Sequence, residues 1–389
     1  MNNAENLIET IEKIEDARKI FPVTESCVYL DSAHYSQYSL ETNRRLVNFI
    51  NEFTYTNKNL STFVNKKADV LKEKIAKIIN AGKENIIITG STTHGLNIFA
   101  NGINLKAGER VAFADSEFPA VVYPWLNQNK LKGTEYVYIP SENGKIRLED
   151  IESIITENNV KVLTISSVEF LGFRNNLSEI SRICTENNCI LLVDAIQSLG
   201  VCPMDVQKYK IDFLAAGAQK WMMSPAGIGF AYISDRMRSV IVPTYASTSV
   251  IKYDFKNFLE YELNFRDDAS AYENSTHNCL GMIGLESTMD LFLKIGVQNI
   301  FSHIIGLLDE FISGIDLKKY NIESSLKQEN RSNILIFSHK ERNRNDEIQK
   351  YLESKKIFIA LREGFLRVSP HLFNNAADIR IFLKELNGI

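Results

Sequence analysis

Lys220 stands in the stretch Phe213 to Ile233, F-L-A-A-G-A-Q-K-W-M-M-S-P-A-G-I-G-F-A-Y-I. The small residues Ala215, Ala216, Gly217 and Ala218 permit close approach of a flat group to the backbone. Pro225, Gly227 and Gly229 set a rigid turn into the apolar run Ile228 to Ile233. A lysine in a small, partly apolar pocket has a lowered pKa and offers a free amine able to attack an aldehyde. The alternative is a solvated lysine at the start of a loop. Asp194 ends the apolar run Ile190 to Val193 and is followed by A-I-Q-S-L-G. A carboxylate at the end of a buried strand is costly unless a cation meets it, and a protonated pyridine nitrogen would do so. On its own such an aspartate reads first as a cap. A third group is T-G-S-T-T-H-G, Thr89 to Gly95, which follows the apolar Ile86 to Ile88 and opens a helix with Leu96, Phe99 and Ile103 on one face. Hydroxyls and free N–H groups at a helix N-terminus make an anion site, although Ser91 or Thr92 would also serve simply as an N-cap.

An anion site, a strand-end acid and an amine-bearing lysine, in this order along one chain, are the parts needed to hold pyridoxal 5'-phosphate (PLP) as a Schiff base on Lys220. The order resembles that of the fold-type I PLP enzymes, and more closely the class V aminotransferase family, which includes cysteine desulfurases and isopenicillin N epimerase-like proteins. The likeness runs from about Phe21 to the C-terminus. Y-L-D-S-A at Tyr29 to Ala33 resembles the family's opening strand, and D-S-E-F-P at Asp115 to Pro119 the segment that lays an aromatic ring over the cofactor, here Phe118. D-A-I-Q-S-L-G at Asp194 to Gly200 implies Asp194 at the pyridine nitrogen and Gln197 at the ring hydroxyl. Thr92 and Thr93 would hold the phosphate. E-N-S-T-H-N at Glu273 to Asn278 is similar to a segment that completes the phosphate site of the other subunit, here through Ser275 and Thr276, which implies a homodimer with composite sites. R-V-S-P-H-L-F-N at Arg367 to Asn374 resembles the segment whose arginine grips the substrate carboxylate bidentately. A lone arginine there also reads as a domain-interface ion pair.

The chain departs from the family at several points. Some relatives have Ser three residues before the lysine and His immediately before it, where this chain has Gly217 and Gln219. The phosphate thereby loses a hydroxyl, and the place beside the lysine holds an amide with no titratable proton. His34 and Tyr35 replace smaller residues and would narrow or polarise a substrate pocket, unless His34 is structural. Glu169, in S-S-V-E-F-L-G, would touch the ring hydroxyl or the substrate, or pair with Arg174. A cysteine desulfurase needs a mobile-loop cysteine ahead of the carboxylate-binding arginine. No cysteine lies beyond Cys279, which argues against a persulfide on the enzyme.

The elements that must position these groups are short buried strands: Ile86 to Thr89, Arg110 to Ala114, Glu135 to Ile139, Val162 to Ser166, Ile190 to Asp194, Phe213 to Ala216 and Gly229 to Ile233. Helix-length segments separate most of them. The alternation predicts an α/β fold, a mostly parallel sheet sandwiched by helices, with ligands at the carboxyl ends of the strands. A short strand is expected at Cys27 to Leu30, and helices over 40–80. Beyond about Val242 the pattern loosens, and Tyr245 to Asn274 has no periodicity. Long helices over Leu280 to Ile312, strand-like runs at Asn333 to Phe337, Ile357 to Leu361 and Phe365 to Val368, and a final helix over Ala376 to Leu386 then predict a smaller α+β C-terminal domain. The expected divisions are an N-terminal helical segment 1–20 with Leu7, Ile11 and Ile14 at helical spacing, a large domain 21–260 and a small domain 261–389.

The 389 residues suffice for a two-domain enzyme with a large core. A net charge of -4 without a Lys/Arg block or aromatic-basic stripe argues against a nucleic-acid partner. No apolar run reaches the eighteen or so residues of a membrane span. The acidic N-terminus does not read as a signal peptide, and five cysteines without metal-ligand spacing fit small core residues in a reducing cytoplasm, with no metal site. The resulting expectation is an enzyme acting on an amino acid or other carboxylate-bearing amine, with Lys220 as base at the α-carbon and Asp194 keeping the ring protonated. Transamination leads on family frequency, with epimerisation or C–S/β-lyase chemistry as alternatives. A non-catalytic binding protein on the same fold would be expected to have lost Lys220 or Asp194, and both are present.

Overall fold

The computed structural model describes residues 6–252, 259–274 and 276–389. Its central element is a sheet of seven strands: β1 (Ile86–Thr89), β2 (Arg110–Ala114), β3 (Glu135–Ile139), β4 (Val160–Ser166), β5 (Ile190–Asp194), β6 (Phe213–Gly217) and β7 (Gly229–Ile233). Their order across the sheet is β1-β7-β6-β5-β4-β2-β3. Only β7 runs antiparallel to its neighbours, β1 and β6. β1, β6 and β7 are buried throughout and β2, β4 and β5 at all but one residue, because helices cover both faces, while the edge strand β3 is largely exposed; successive residues feed opposite layers. Ile86 and Ile88 belong to one apolar core and Ile87 to the other; Ala216 and Ala215 divide in the same way. The fold class read from the sequence is the one observed.

Register brings the chemistry-bearing residues to one edge. Ser166 on β4 pairs with Asp194 on β5, and Asp194 pairs with Ala215 on β6. Thr92 follows β1, Phe118 follows β2 and Lys220 follows β6. The run of small residues also serves packing inside the protein. A Cβ on Gly95, in the helix Thr92–Gly102, would lie 2.7 Å from the Ala215 Cβ, so it is this helix that approaches the strand closely. The small residues let the anion-site helix seat against β6.

A four-stranded antiparallel sheet follows, in the order Tyr320–Ile322, Leu335–His339, Phe365–Val368, Ala360–Arg362. The strand expected at Ile357 to Leu361 divides in two. Ile357–Phe358 pairs in parallel with Val28–Tyr29, and Ala360–Arg362 forms a hairpin with Phe365–Val368. Glu363 and Gly364 turn that hairpin, both with positive φ. The pairing of residue 28 with 357 draws the opening strand onto the C-terminal sheet, and a further bridge joins Asp31 to Ser369. The N-terminal segment is not a regular amphipathic helix. Turns over residues 7–10 lead to a 3₁₀ helix, Ile14–Ile20, with Ile8, Ile11 and Ile20 buried. Apolar spacing is preserved, but the segment is too short and too closely packed to need an α-helical hydrogen-bond ladder.

Among the described residues no single helix is long and apolar enough to cross a membrane; the bent pair Cys279–Ile295 and Val297–Gly314 passes by composition, and much of it is core.

Candidate active site

Asp194 is buried at the carboxyl end of β5. Its Oδ1 accepts from the Ile196 N–H at 2.9 Å, and among the described residues it makes no ion pair. Burial pushes its carboxyl up to about 6, against the opposing pull of that hydrogen bond and of Lys220. A cationic partner is what this carboxylate lacks.

Lys220 is half-buried, with Nζ 5.5 Å from the centroid of the Phe118 ring. Burial lowers its ammonium to about 8; Asp194 and Asp31 oppose the shift, and Arg367 and Arg362 add to it. The amine therefore gives up its proton more readily than an exposed lysine does. Phe118 initiates the helix Pro119–Lys132, and its ring stands 6.1 Å from that of Phe170.

Thr92 is buried and accepts from the Gly217 N–H at 2.7 Å, which ties the anion-site helix to the strand that leads to Lys220. Ser91 caps the helix by accepting from the His94 N–H at 3.1 Å. The N–H groups of Thr92 and Thr93, in the first turn, have no intrahelical partner. The capping and anion-site readings thus fall to different residues, the cap to Ser91 and the free donors to Thr92 and Thr93. Thr93 is exposed. A Cβ at Gly217 would sit 2.6 Å from Gln219 Oε1 and 3.2 Å from Thr92 Oγ1, so the amide of Gln219 occupies the space that a serine side chain would need.

Gln197 is buried with its amide engaged on both ends. Oε1 accepts from Trp221 Nε1 at 2.8 Å, and Nε2 donates to the Ala33 carbonyl at 3.2 Å. One N–H remains for a ligand. Arg367 is almost fully buried on the Phe365–Val368 strand. Nη1 donates to the Phe170 carbonyl at 3.0 Å, Nη2 to Asp31 Oδ1 at 3.5 Å, and Nε has no protein partner. Burial lowers its guanidinium to about 10 despite Asp31. Asp31 also lies 3.4 Å from His34 Nδ1. Tyr35 packs edge-on against His34, with both rings largely exposed at the rim.

Glu169 is buried, with Oε1 accepting from Asn175 Nδ2 at 2.7 Å. The expected alternative of an ion pair with Arg174 is not formed. Arg174 instead donates to the carbonyls of Gln328 and Glu329 and stands over the Phe301 ring. Thr276 is exposed, while Ser275 lies outside the described residues. The segment that carries them is rooted by Glu273, which is buried between Lys72 (2.8 Å), His277 (3.2 Å) and the Ile88 N–H (2.9 Å).

Sequence reasoning passed over Glu117, which directly precedes Phe118. Both its oxygens accept from Ser166, one from the N–H and one from Oγ, each at 2.6 Å. Burial, with Asp194 nearby, still raises it to about 7. An acid within D-S-E-F-P was the available signal. Asp31 and the Lys72–Glu273–His277 cluster were also missed, because long-range pairings assemble them.

The buried cation-lacking carboxylate of Asp194, the ring of Phe118 against the Lys220 amine, and the free donors of Thr92 and Thr93 fit a protonated, flat heterocycle bearing an aldehyde and an anionic tail. The parallel sheet with a single antiparallel strand and this site define a fold-type I PLP enzyme. The chain belongs to the class V aminotransferase family, whose sequence model matches residues 28–380. PLP is its cofactor. It is 26% identical to a probable cysteine desulfurase of Methanothermobacter thermautotrophicus, covering 97% of this chain and 99% of that one. With a probable cysteine desulfurase of Halalkalibacterium halodurans it shares 30% identity over 74% of this chain and 73% of that one. Its fold is similar to the apo cysteine desulfurase of Thermococcus onnurineus, with TM-score 0.86, 22% identity and 97% and 98% of the two chains covered. It is also similar to the cystine C–S lyase C-DES in complex with its product cysteine persulfide, with TM-score 0.87, 18% identity and 94% and 99% covered.

Proposed function

We propose that this enzyme cleaves the C–S bond of a β-sulfur-substituted amino acid, releasing the sulfur directly and not through a cysteine of its own. The observation that carries the reading is the hairpin of Arg362 and Arg367. Its two-residue turn, Glu363-Gly364, contains no cysteine, whereas the two relatives described above are named probable cysteine desulfurases. The chain's cysteines at 184, 189 and 202 are buried, and Cys27 and Cys279 are half-buried. Bound PLP supplies an electron sink for charge that develops at the substrate's α-carbon.

The protein groups have distinct tasks. Arg367 holds the carboxylate, using Nε–H and the second Nη2–H, and thereby sets which bond at the α-carbon is aligned for cleavage. Lys220 Nζ removes the α-proton. The Cβ–S bond then breaks with its electron pair on sulfur, and water releases the remaining carbons as a 2-oxo acid and ammonium. Asp194 keeps the ring nitrogen protonated, and Phe118 excludes water from one face.

Transamination is the second reading, favoured by a Bacillus subtilis relative named as an uncharacterised aminotransferase. One experiment separates them. Purified enzyme is incubated with a panel of amino acids, with and without a 2-oxo acid acceptor, and sulfide, persulfide and new 2-oxo acid are measured. Acceptor-independent sulfur release supports the lyase. Turnover only with acceptor, on substrates without sulfur, assigns transamination.

A further inference from the structure

Three buried acids, Glu117, Glu169 and Asp194, converge on the end of β4, and Lys220 is the cation that acts on Asp194. Their hydrogen bonds differ. Glu117 receives two donors from Ser166, and Asp194 receives one from Ile196. Glu169 receives one, at Oε1, from Asn175; that amide gives its other proton to the Ser166 carbonyl at 2.7 Å and has none left. Glu169 Oε2 is closed off from solvent and has no partner among the described residues. The groups around it from each neighbouring segment are Glu117 ahead of the Pro119–Lys132 helix, Ser166 on β4, Asn175 on its own loop and Asp194 on β5, and among the described residues no cation pairs with it. Burial, Glu117 and Asp194 push its carboxyl well above the ordinary carboxylate range. Three adjacent carboxyls do not all ionise; Glu117 has two donors, and Asp194, with one donor like Glu169, also feels Lys220, so the proton goes to Glu169.

We propose that Glu169 enters the reaction as a neutral acid whose Oε2–H is donated to an anionic oxygen brought by the ligand, either the phenolic oxygen of the cofactor or the carboxylate of the amino acid. A buried donor without a protein acceptor is costly, and the ligand removes that cost. Position supports both sources. Asp194 is the proposed ring-nitrogen partner, and the carbonyl of the next residue, Phe170, holds Arg367. The role rests on the cofactor and carboxylate sites proposed above.

The test compares Glu169→Gln, which keeps a donor, with Glu169→Ala, which does not. For each full-chain enzyme the pH titration of the cofactor's absorption band is recorded without substrate, then KM at saturating cofactor. Expected is a near-wild-type Gln variant. In the Ala variant, either the absorption titration shifts, which assigns the ring oxygen, or KM rises about ten- to hundredfold with the spectrum unchanged, which assigns the carboxylate. A Gln variant as impaired as the Ala variant, or an Ala variant altered in neither respect, overturns the proposal. Melting temperatures at pH 4.5 and 7.5 read the proton without the cofactor. A buried neutral acid is penalised as pH rises above its unfolded value, so the Gln variant gains on wild type toward pH 7.5. A loss there shows a paired anion instead, and also overturns it. Borohydride labelling of Lys220 in both variants separates a failure of this role from a failure of the cofactor site.

Discussion

Arg367 and Asp31 are 336 residues apart in sequence, yet Nη2 of one stands 3.5 Å from Oδ1 of the other. The contact exists because Val28–Tyr29 pairs with Ile357–Phe358 and Asp31 bridges Ser369. It engages Nη2 and leaves Nε, which is buried, without a protein partner.

Removing Arg367 is therefore expected to weaken substrate binding by roughly 2–5 kcal/mol, the range for truncating a buried, hydrogen-bonded charge pair. Arg367→Lys restores only part, because an ammonium cannot meet both carboxylate oxygens in one plane. Arg362→Ala should have the smaller effect, since Arg362 is only half-buried and donates to its neighbour's carbonyl. Steady-state kinetics of the three variants check this. Unchanged kinetics in both Arg367 variants with a large loss in Arg362→Ala would move the carboxylate to Arg362.

Lys220 is expected to be the lysine that carries the cofactor. Purified protein should be yellow, and borohydride followed by peptide mapping should fix the cofactor to the peptide containing Lys220. Labelling of another lysine, persisting in Lys220→Ala, refutes the assignment.

Asp194→Ala should retain cofactor yet lose turnover by orders of magnitude, because the ring nitrogen is no longer held protonated and the electron sink is lost. Turnover close to wild type with a full complement of PLP would show that Asp194 serves only as a cap.

Glu273 makes a stability prediction with the opposite sign to that of Glu169. Lys72 and His277 outweigh burial and hold its carboxyl down to about 2. A depressed carboxyl contributes stability above its unfolded value, near 4.5, and loses it as pH falls toward 2. Glu273→Gln should cost on the order of 3 kcal/mol at pH 7, with the difference from wild type shrinking below pH 4.5. Urea denaturation of both proteins at pH 7, 5 and 3 measures it. A difference independent of pH would show that packing, not charge, is responsible.

The active unit is expected to be a homodimer in which Thr276, exposed on the segment rooted by Glu273, reaches the partner's phosphate site. Sedimentation should give a dimer, and Thr276→Val should weaken PLP retention. A PLP-replete, active monomer eliminates the composite site.

Much of this was written locally. The alternation of short apolar runs with helical segments determined the parallel sheet, because strands buried on both faces must be apolar throughout and helices must cover them. Lys220, Asp194, Thr92 and Phe118 were legible for the same reason: polar or functional groups placed directly after buried strands fall at one edge of such a sheet. What the tertiary structure decided was pairing across distance. No local pattern announces that residue 28 lies beside 357, that Asp31 engages Arg367, or that Glu117 clamps Ser166. Nor does sequence apportion protons among Glu117, Glu169 and Asp194, since a carboxyl's charge depends on burial and on the donors that happen to face it. The small residues before Lys220 show both sides. Their size was plain in the chain, but that Ala215 admits Gly95 of a neighbouring helix follows only from how the helix packs on β6.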